Sequence, residues 1–170
     1  MKSQIKFPVY LLISLTLIFS ACSSNKVNPS DIQEIKTIVQ NKDFIITSDV
    51  AFPRATYAMT QIRDAGLLIN GDTSNRISLI GNPNFLKIEG DSVTSQLPYF
   101  GERQVSTPYN SRDMGISLKG RMEDYKEVWN EEKNRYEITF KARDNTEGFN
   151  VTIYLFPKKT ANMILMGTKR

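Results

Sequence analysis

Residues 136–156 read YEITFKARDNTEGFNVTIYLF. In the first half of this stretch, apolar side chains occupy every second position: Tyr136, Ile138, Phe140 and Ala142. A period of two is that of a β-strand with one buried face. The polar segment 144–148 then turns the chain into a second apolar run, Phe149–Phe156. The stretch therefore predicts an antiparallel hairpin.

Similar runs on both sides extend this hairpin. The turn 157–159 leads into Ala161–Met166, and the polar loop 130–135 connects back to Asp124–Trp129. Earlier in the chain, five more runs are predicted to be strands: Phe44–Val50, Arg76–Ile80, Phe85–Glu89, Val93–Leu97 and Ile116–Lys119. Short strands joined by tight turns are typical of an antiparallel meander rather than of βαβ units.

One segment ahead of these strands is predicted to be helical. Residues 30–33, SDIQ, have the spacing of a capping box. The apolar residues that follow fall on one helical face: Ile32, Ile35, Ile38 and Val39. The helix is expected to end near Asn41. Residues 52–74 carry no clear pattern and are expected to form a loop, or a short strand near 67–69.

The last two predicted strands are apolar on both faces. In one strand, the neighbouring apolar residues Ile153 and Tyr154 point to opposite faces. In the other strand, Met163 and Ile164 do the same. A strand that is apolar on both faces must be covered on both, and the helix is the expected cover. We therefore predict an α+β, mostly β domain. It is a twisted antiparallel sheet or open barrel of about eight strands, with one N-terminal amphipathic helix packed against it.

The chain begins with the pattern of a secretory signal. Lys2 and Lys6 precede the apolar run 9–21, VYLLISLTLIFSA. This run is too short to span a bilayer as a stable helix. A basic start, a short apolar run and small residues at its exit are typical of a signal peptide. Three parts are predicted: a signal peptide at 1–21, the lipidated cysteine and a flexible tether at 22–30, and a single β-rich domain at 31–170.

Ser20 and Ala21 are followed by Cys22, the only cysteine in the chain. This placement resembles the lipobox of bacterial lipoproteins, although Phe19 stands where that motif prefers an aliphatic residue. The resemblance implies cleavage before Cys22 and lipidation of its thiol, with acyl chains such as palmitate holding the protein on a membrane. Ser23 stands where an aspartate would retain the protein at the inner membrane, so the periplasmic face of the outer membrane is expected. The alternative is an ordinary secreted protein whose cysteine falls here by chance.

Four stretches of the chain carry a wider resemblance: NKDFIITSDVAFP (41–53), FLKIEGDSVTSQLPYFG (85–101), TPYN with GISLKG (107–120), and YEITFKARDNTEGFNVTIYLFP (136–157). They resemble the Bacteroidetes envelope lipoproteins of domain-of-unknown-function family 4251. The resemblance implies a β-rich periplasmic or surface domain with no assigned activity and no known catalytic residues. Similar proteins continue with one further short strand, whereas this chain stops at Arg170. An exposed C-terminal edge of this kind is expected to promote self-association.

Composition excludes several chemistries. The chain has no histidine and its single cysteine is the predicted lipid anchor, which excludes histidine-activated nucleophiles and His- or Cys-ligated metal sites. The carboxylate pairs Glu123-Asp124 and Glu131-Glu132 are expected in solvated turns, because neighbouring strand residues point to opposite faces. No enzymatic activity, cofactor or metal is therefore predicted. Removing the lysines of the signal lowers the formal net charge from +4 to about +2, and the scattered basic residues do not form a nucleic-acid-binding stripe.

Aromatic residues are the remaining candidates for contact with a ligand or partner. A proline and a glycine hold Tyr99 and Phe100 at a rigid corner, beside a long loop that contains Tyr109. Trp129 ends a strand next to the polar loop 130–135. Alternatively, one ring of the corner plugs an open end of the sheet, and Trp129 closes a hairpin.

Three hypotheses of function follow from these patterns. The first is a membrane-anchored, non-catalytic envelope module that binds a small apolar ligand or a protein partner in the periplasm. The second is a structural or envelope-assembly lipoprotein with no small-molecule site. The third is a carboxylate-based hydrolase, which needs two carboxylates about 5–10 Å apart in a cleft.

Overall fold

The computed structural model describes residues 27–54, 56–68, 71–100, 115–145 and 147–168. The predicted signal peptide, Cys22 and Tyr109 lie outside these residues. The described chain forms two helices and ten strands: α1 (Pro29–Asn41), β1 (Asp43–Ile46), β2 (Val50–Ala51), α2 (Tyr57–Asp64), β3 (Ile77–Ser78), β4 (Phe85–Glu89), β5 (Ser92–Gln96), β6 (Lys119–Arg121), β7 (Glu123–Asn130), β8 (Arg135–Arg143), β9 (Gly148–Phe156) and β10 (Thr160–Gly167). Neither of the helices in this part of the chain is long and apolar enough to cross a membrane.

The strands form three antiparallel sheets that do not close into a barrel. The first sheet has the order β1-β4-β5-β6, the second has the order β10-β9-β8-β7, and β2 pairs with β3. The hairpin predicted at 136–156 is the centre of the second sheet, where Tyr136 pairs with Leu155 and Arg143 with Gly148. The predicted mostly β, antiparallel fold with an N-terminal helix is confirmed, and its strands are divided among three sheets.

The two large sheets are consecutive along the chain. Only Met122 separates β6, at one edge of the first sheet, from β7, at one edge of the second. Its backbone N–H donates to the carbonyl of Asp91 at 2.8 Å, which ties this crossing to the β4–β5 turn. A register shift between Glu123 and Lys126 marks a bulge at the start of β7. Bulges bend a strand, and this one lets the chain leave the first sheet and enter the second.

One hydrophobic core joins α1 to both large sheets. Its most deeply buried members come from all three: Ile35 and Val39 of α1, Leu86, Ile88 and Val93 of the first sheet, and Ile138, Val151 and Ile153 of the second. A smaller cluster of Met59, Ile77 and Leu79 lies under α2 and β3. The helix therefore packs against the inner side of the sheets, as predicted from its apolar face.

The first turn of α1 differs from the prediction. The N-cap is Asn28, whose side-chain oxygen accepts a hydrogen bond from the N–H of Ser30 at 3.2 Å, so the predicted capping box starting at Ser30 is wrong. Pro29 fits the first helical position because its missing N–H would have no helical partner there. The predicted end at Asn41 is confirmed, and the N–H of Lys42, whose φ is 47°, donates to the carbonyl of Val39.

Residues 52–74 contain α2, which the sequence pattern did not indicate. The expected strand near 67–69 is wrong for the described Leu67 and Leu68, which lie in irregular structure. The side chain of Thr56 caps α2 by accepting from the N–H of Met59 at 3.2 Å. A helix of eight residues is too short to show a clear apolar period, which explains why the pattern gave no signal.

The outer face of the second sheet is not covered by α1, which corrects the expectation that the helix provides a second cover. Since Ile35 lies in the same core as Ile153, the helix is on the inner side. On the outer side, Ile164 is 44% exposed and Met166 is 51% exposed. Tyr154 has a local cover, because the guanidinium of Arg135 lies 3.6 Å from the centre of its ring. The two strands are apolar on both faces, as predicted, but their outer face is partly exposed to solvent.

Candidate functional site

A partly open groove of about 210 Å³, with both apolar and polar surface, lies between α1, β1 and the β9–β10 hairpin. Its walls come from the helix, the first strand and the hairpin: Ile35 and Ile38 of α1, Phe44, Ile45 and Ile46 of β1 with Thr47 after it, and Leu155, Lys159 and Ala161 of the hairpin. Engineered cavities of roughly 150 Å³ lined by aliphatic side chains bind benzene. The groove is therefore large enough for a small apolar molecule or for the end of an acyl chain.

The groove exists because two sheet edges face α1 without pairing to each other. Among the strands that the structure describes, β1 pairs only with β4 in the first sheet, and β10 pairs only with β9 in the second. Helix α1 is joined to β1 through Lys42 and places the apolar side chains of Ile35 and Ile38 against the groove. Side chains from a helix and two strand edges do not interdigitate as closely as a hydrogen-bonded sheet, and the remaining space is the groove.

Charged side chains meet at the rim of the groove. The Nζ atom of Lys159, which also lines the groove, lies 2.7 Å from the Oε1 atom of Glu34 on α1. The Lys159 and Glu34 side chains are 58% and 53% exposed. Lys158 and Lys159 have φ values of 70° and 60° in the hairpin turn. Non-glycine residues rarely adopt this left-handed conformation, so the turn holds both lysines in a strained backbone.

A second cluster of polar and aromatic side chains lies on β7 and β8. The Tyr125 hydroxyl donates to Oε2 of Glu127 at 2.8 Å, and the rings of Trp129 and Tyr136 are 5.2 Å apart. Burial, followed by the hydrogen bond and charge of Glu127, raises the pKa of Tyr125 well above its ordinary value. Burial and then the Glu127 charge also raise the pKa of Tyr136. Both phenols therefore keep their protons at neutral pH and act as hydrogen-bond donors rather than as bases.

The structure places the predicted contact residues in different surroundings. Tyr99 packs against the main core, whereas Phe100 packs against the smaller cluster under α2. Trp129 pairs across the strands with Tyr136, one pair before the β7–β8 turn. None of these described aromatic residues lines the groove, and Tyr109 lies outside the described residues.

Both predicted carboxylate pairs lie at the surface, but only Glu131 and Glu132 are in a turn, whereas Glu123 and Asp124 are in strand β7. Glu123, Asp124, Glu131 and Glu132 are all exposed. The ammonium of Lys141, 2.7 Å from Asp124, holds the pKa of that carboxyl below its ordinary value, while the carboxylate raises the pKa of Lys141. This is the chemistry of an ion pair rather than of proton transfer. In the described ranges, no three His, Cys, Asp or Glu side chains are grouped closely enough to hold a metal ion.

The sequence pattern did not identify the groove residues as a site. Ile35 and Ile38 were recognised as one apolar helix face, and Phe44, Ile46 and Leu155 as strand residues. Their convergence depends on which strands become sheet edges, and this is a long-range property that local periodicity does not carry. The two consecutive lysines in a tight hairpin turn were the local signal, since asparagine and glycine are the usual residues in left-handed turn positions.

The fold and the groove define a mostly β, antiparallel module with a groove that has helix α1 as one wall. The chain belongs to the family described as a domain of unknown function (DUF4251), whose sequence profile matches residues 27–167. The matched range includes both helices and all ten strands of the described residues. Searches of the curated proteins and of the solved structures each found no match.

Proposed function

We propose that this protein is a lipoprotein, anchored through Cys22 in the outer membrane and facing the periplasm, and that it binds a small apolar ligand in its groove. The observation that carries the binding proposal is the groove of about 210 Å³ with aliphatic and aromatic walls. The anchor proposal depends on the signal pattern that ends at Cys22. The protein acts as a binding module and not as an enzyme.

The position of the groove near the tether supports an apolar ligand that comes from the membrane. Six residues separate Cys22 from the first residue of α1, Pro29, and span at most about 25 Å when fully extended. Ile35 lies a further ~9 Å along the helix. A protein anchored in this way keeps its groove within a few nanometres of the acyl chains of the bilayer.

A linear alkyl chain is the simplest probe of the groove. Each methylene moved from water into an apolar site contributes about 0.8 kcal/mol, which corresponds to roughly fourfold in affinity. For the chain 22–170 carrying Cys22→Ser, affinity for n-alkanols should rise by up to about fourfold per carbon and level off when the groove is full. Isothermal titration calorimetry measures this series directly.

A matched pair of variants locates the binding site. Ile38→Gln places an amide in the groove wall, whereas Ile62→Gln makes the same change on α2, where Ile62 is 38% exposed. We expect the first change to weaken alkanol binding by about tenfold and the second to leave it unchanged. Thermal unfolding of each variant verifies that it is folded. Equal losses in the two variants, or no chain-length dependence in the unmodified chain, would contradict the groove as the binding site.

The anchor has its own test. The full chain is expressed in a Gram-negative host supplied with an alkyne analogue of palmitate, and membranes are collected after a salt wash. We expect labelling of the wild type and of Ser24→Ala but none of Cys22→Ala, because the thiol is the acceptor of the lipid. Label on the alanine variant would show that Cys22 is not the lipid anchor.

A protein partner is the second candidate function, favoured by the exposed apolar side chains of Ile164 and Met166 on the outer face of β10. A sheet edge with apolar residues is suited to pairing with another chain. Crosslinking from a photoreactive residue at position 162 in the native envelope would identify such a partner. If neither alkanols nor a protein bind, a structural or envelope-assembly role becomes the leading hypothesis.

A further inference from the structure

We propose that the groove selects single-chain carboxylates, with Lys159 binding the carboxylate and Glu34 holding that lysine in place until a ligand arrives. The inference deepens and rests on the proposed apolar binding function. Its occupant is an amphiphile with the chemistry of a fatty acid, a linear apolar chain that ends in one carboxylate.

The ammonium of Lys159 at the rim has the charge that pairs with the carboxylate of such a ligand. Lys159 lines the groove, and its ammonium already has a carboxylate partner, the Glu34 side chain at 2.7 Å. When a ligand places its own carboxylate at the rim, the lysine exchanges one carboxylate for another and keeps the same hydrogen-bond geometry. A singly charged carboxylate replaces Glu34 most closely, since its charge and its two oxygens are the same.

The exchange is easy because the existing ion pair is exposed. With side chains that are 58% and 53% exposed, Lys159 and Glu34 are largely hydrated, and such pairs contribute little to stability. Release of Glu34 therefore returns its carboxylate to water at a small cost in free energy. The backbone of Lys159 stays beside the groove, because it belongs to the hairpin turn and has a φ of 60°.

The hairpin supplies an internal control. Lys158 precedes Lys159 in the same turn and has a similar φ of 70°, but only Lys159 is part of the groove wall. General attraction between a basic surface and an anion would depend on both lysines. Selection of a carboxylate at the rim depends on Lys159 alone.

The experiment compares octanoate with octanol on the chain 22–170 carrying Cys22→Ser, by isothermal titration calorimetry at low salt. We expect octanoate to bind the wild type only about twofold more tightly than octanol, because the ligand must displace Glu34 from Lys159, and to bind Glu34→Gln about threefold to fivefold more tightly than octanol, the range of an exposed ion pair. Lys159→Met should remove this preference, whereas Lys158→Met should keep it. Glu34→Gln should tighten octanoate binding by a similar factor without changing octanol binding, because the competing carboxylate is gone.

The possible failures are distinguishable. If octanol binds as tightly as octanoate and Lys159→Met changes neither, carboxylate selection is wrong while the apolar groove stands. If Lys158→Met removes the preference as completely as Lys159→Met, the effect is general surface charge and the inference is overturned. If neither octanoate nor octanol binds, the proposed apolar binding function fails, and carboxylate selection fails with it.

Discussion

The two faces of the second sheet are built from the same strands but have different surroundings. On the inner face, Val151 and Ile153 are at most 1% exposed, in a core shared with α1 and the first sheet. On the outer face, Ile164 and Val128 are 44% and 62% exposed. Apolar character alone therefore does not determine burial. The side on which α1 and the first sheet pack decides which apolar face becomes core.

Polar contacts stabilise the outer face where packing does not. Arg135 donates from Nη2 to Oε1 of Glu137 at 2.7 Å and lies over the ring of Tyr154. The Arg135 side chain is only 15% exposed, so this contact is the most enclosed ion pair described on the sheet. The outer face thus combines a local cation–π and ion-pair cluster with uncovered apolar residues near β10.

The largest expected difference between the faces is in side-chain truncation. Ile153→Ala should lower the free energy of unfolding by about 2–5 kcal/mol, because it leaves a cavity in the shared core. Ile164→Ala, the matched change on the outer face, should lower it by less than about 1 kcal/mol. Urea unfolding followed by circular dichroism measures both values. Similar losses in the two variants would show that the outer face is covered in solution.

The second effect is smaller and depends on pH. Tyr125→Phe removes the hydrogen bond to Glu127 and should cost about 1–2 kcal/mol at pH 7. Burial raises the pKa of Tyr125 above its ordinary 10.0, so its protonated form is favoured in the folded chain. This contribution is complete below about pH 10 and is lost as pH rises through the folded-state pKa.

Alkaline unfolding therefore tests the inner position of Tyr125. Between about pH 10 and the folded-state pKa, the wild type should lose stability more steeply than Tyr125→Phe. Absorbance at the tyrosinate band follows the ionisation, and urea unfolding at each pH gives the stability. Parallel pH profiles for the two proteins would contradict the burial of this hydroxyl.

On the outer face, Arg135→Ala should cost about 0.5–1 kcal/mol through the lost contact with Tyr154. Arg135 also holds the pKa of Glu137 below its ordinary value. That contribution is present above about pH 4.5 and is lost as pH falls through the lowered pKa, so the variant should show a weaker loss of stability in acid. Arg143→Ala changes an exposed position on the same strand and is the control. An equal loss of stability in this control would show that the loss at Arg135 does not come from its contact with Tyr154.

The smallest effect on stability is expected at the edge. Strand β10 is an edge of eight residues, TANMILMG, without a charge, so the soluble chain should self-associate as its concentration rises. Ile164→Lys should change the free energy of unfolding by no more than about 0.5 kcal/mol but suppress this association. Val128→Lys, on the opposite edge strand, should leave the association intact. Sedimentation velocity separates these outcomes, and a monomeric wild type at high concentration would refute the prediction.

Local patterns predicted most of the strands and α1, but the single strand predicted at Phe44–Val50 is wrong, because the chain leaves the first sheet after β1 and re-pairs as β2, and the strand predicted at Ile116–Lys119 overlaps β6 only at Lys119. Phe85–Glu89 was predicted with the bounds that β4 has, and the alternation at 136–143 gave the buried face of β8 correctly. The signal was strong there because each strand has one polar and one apolar face. Ser30 was mistaken for the N-cap because its spacing to Gln33 fits a capping box, while Asn28 and Pro29 satisfy the same helix end.

The site depended on information that no local pattern contains. The amphipathic face of α1 could be predicted, but the groove requires that β1 and β10 be edges on either side of it. Aromatic residues were predicted to contact a ligand or partner. In the structure, Trp129 contacts Tyr136 across a hairpin, and Tyr99 and Phe100 pack against hydrophobic clusters. The position of Trp129 agrees with the alternative that this residue closes a hairpin. The two consecutive lysines of the β9–β10 turn are a local signal of an unusual turn, but they do not indicate that Lys159 lines a groove.

Sequence separation within the sheets has a consequence for the order of folding. In the second sheet each strand pairs with its neighbour in sequence, as Ile138 does with Ile153. The first sheet must pair Phe44 with Ile88, which closes a much longer loop of the chain. Since local pairing is faster, we expect the C-terminal meander to fold first and to provide the surface on which the rest assembles. Helix α1 is synthesised before all of these strands, so its apolar face stays without its final partners until the last strand, β10, has been made.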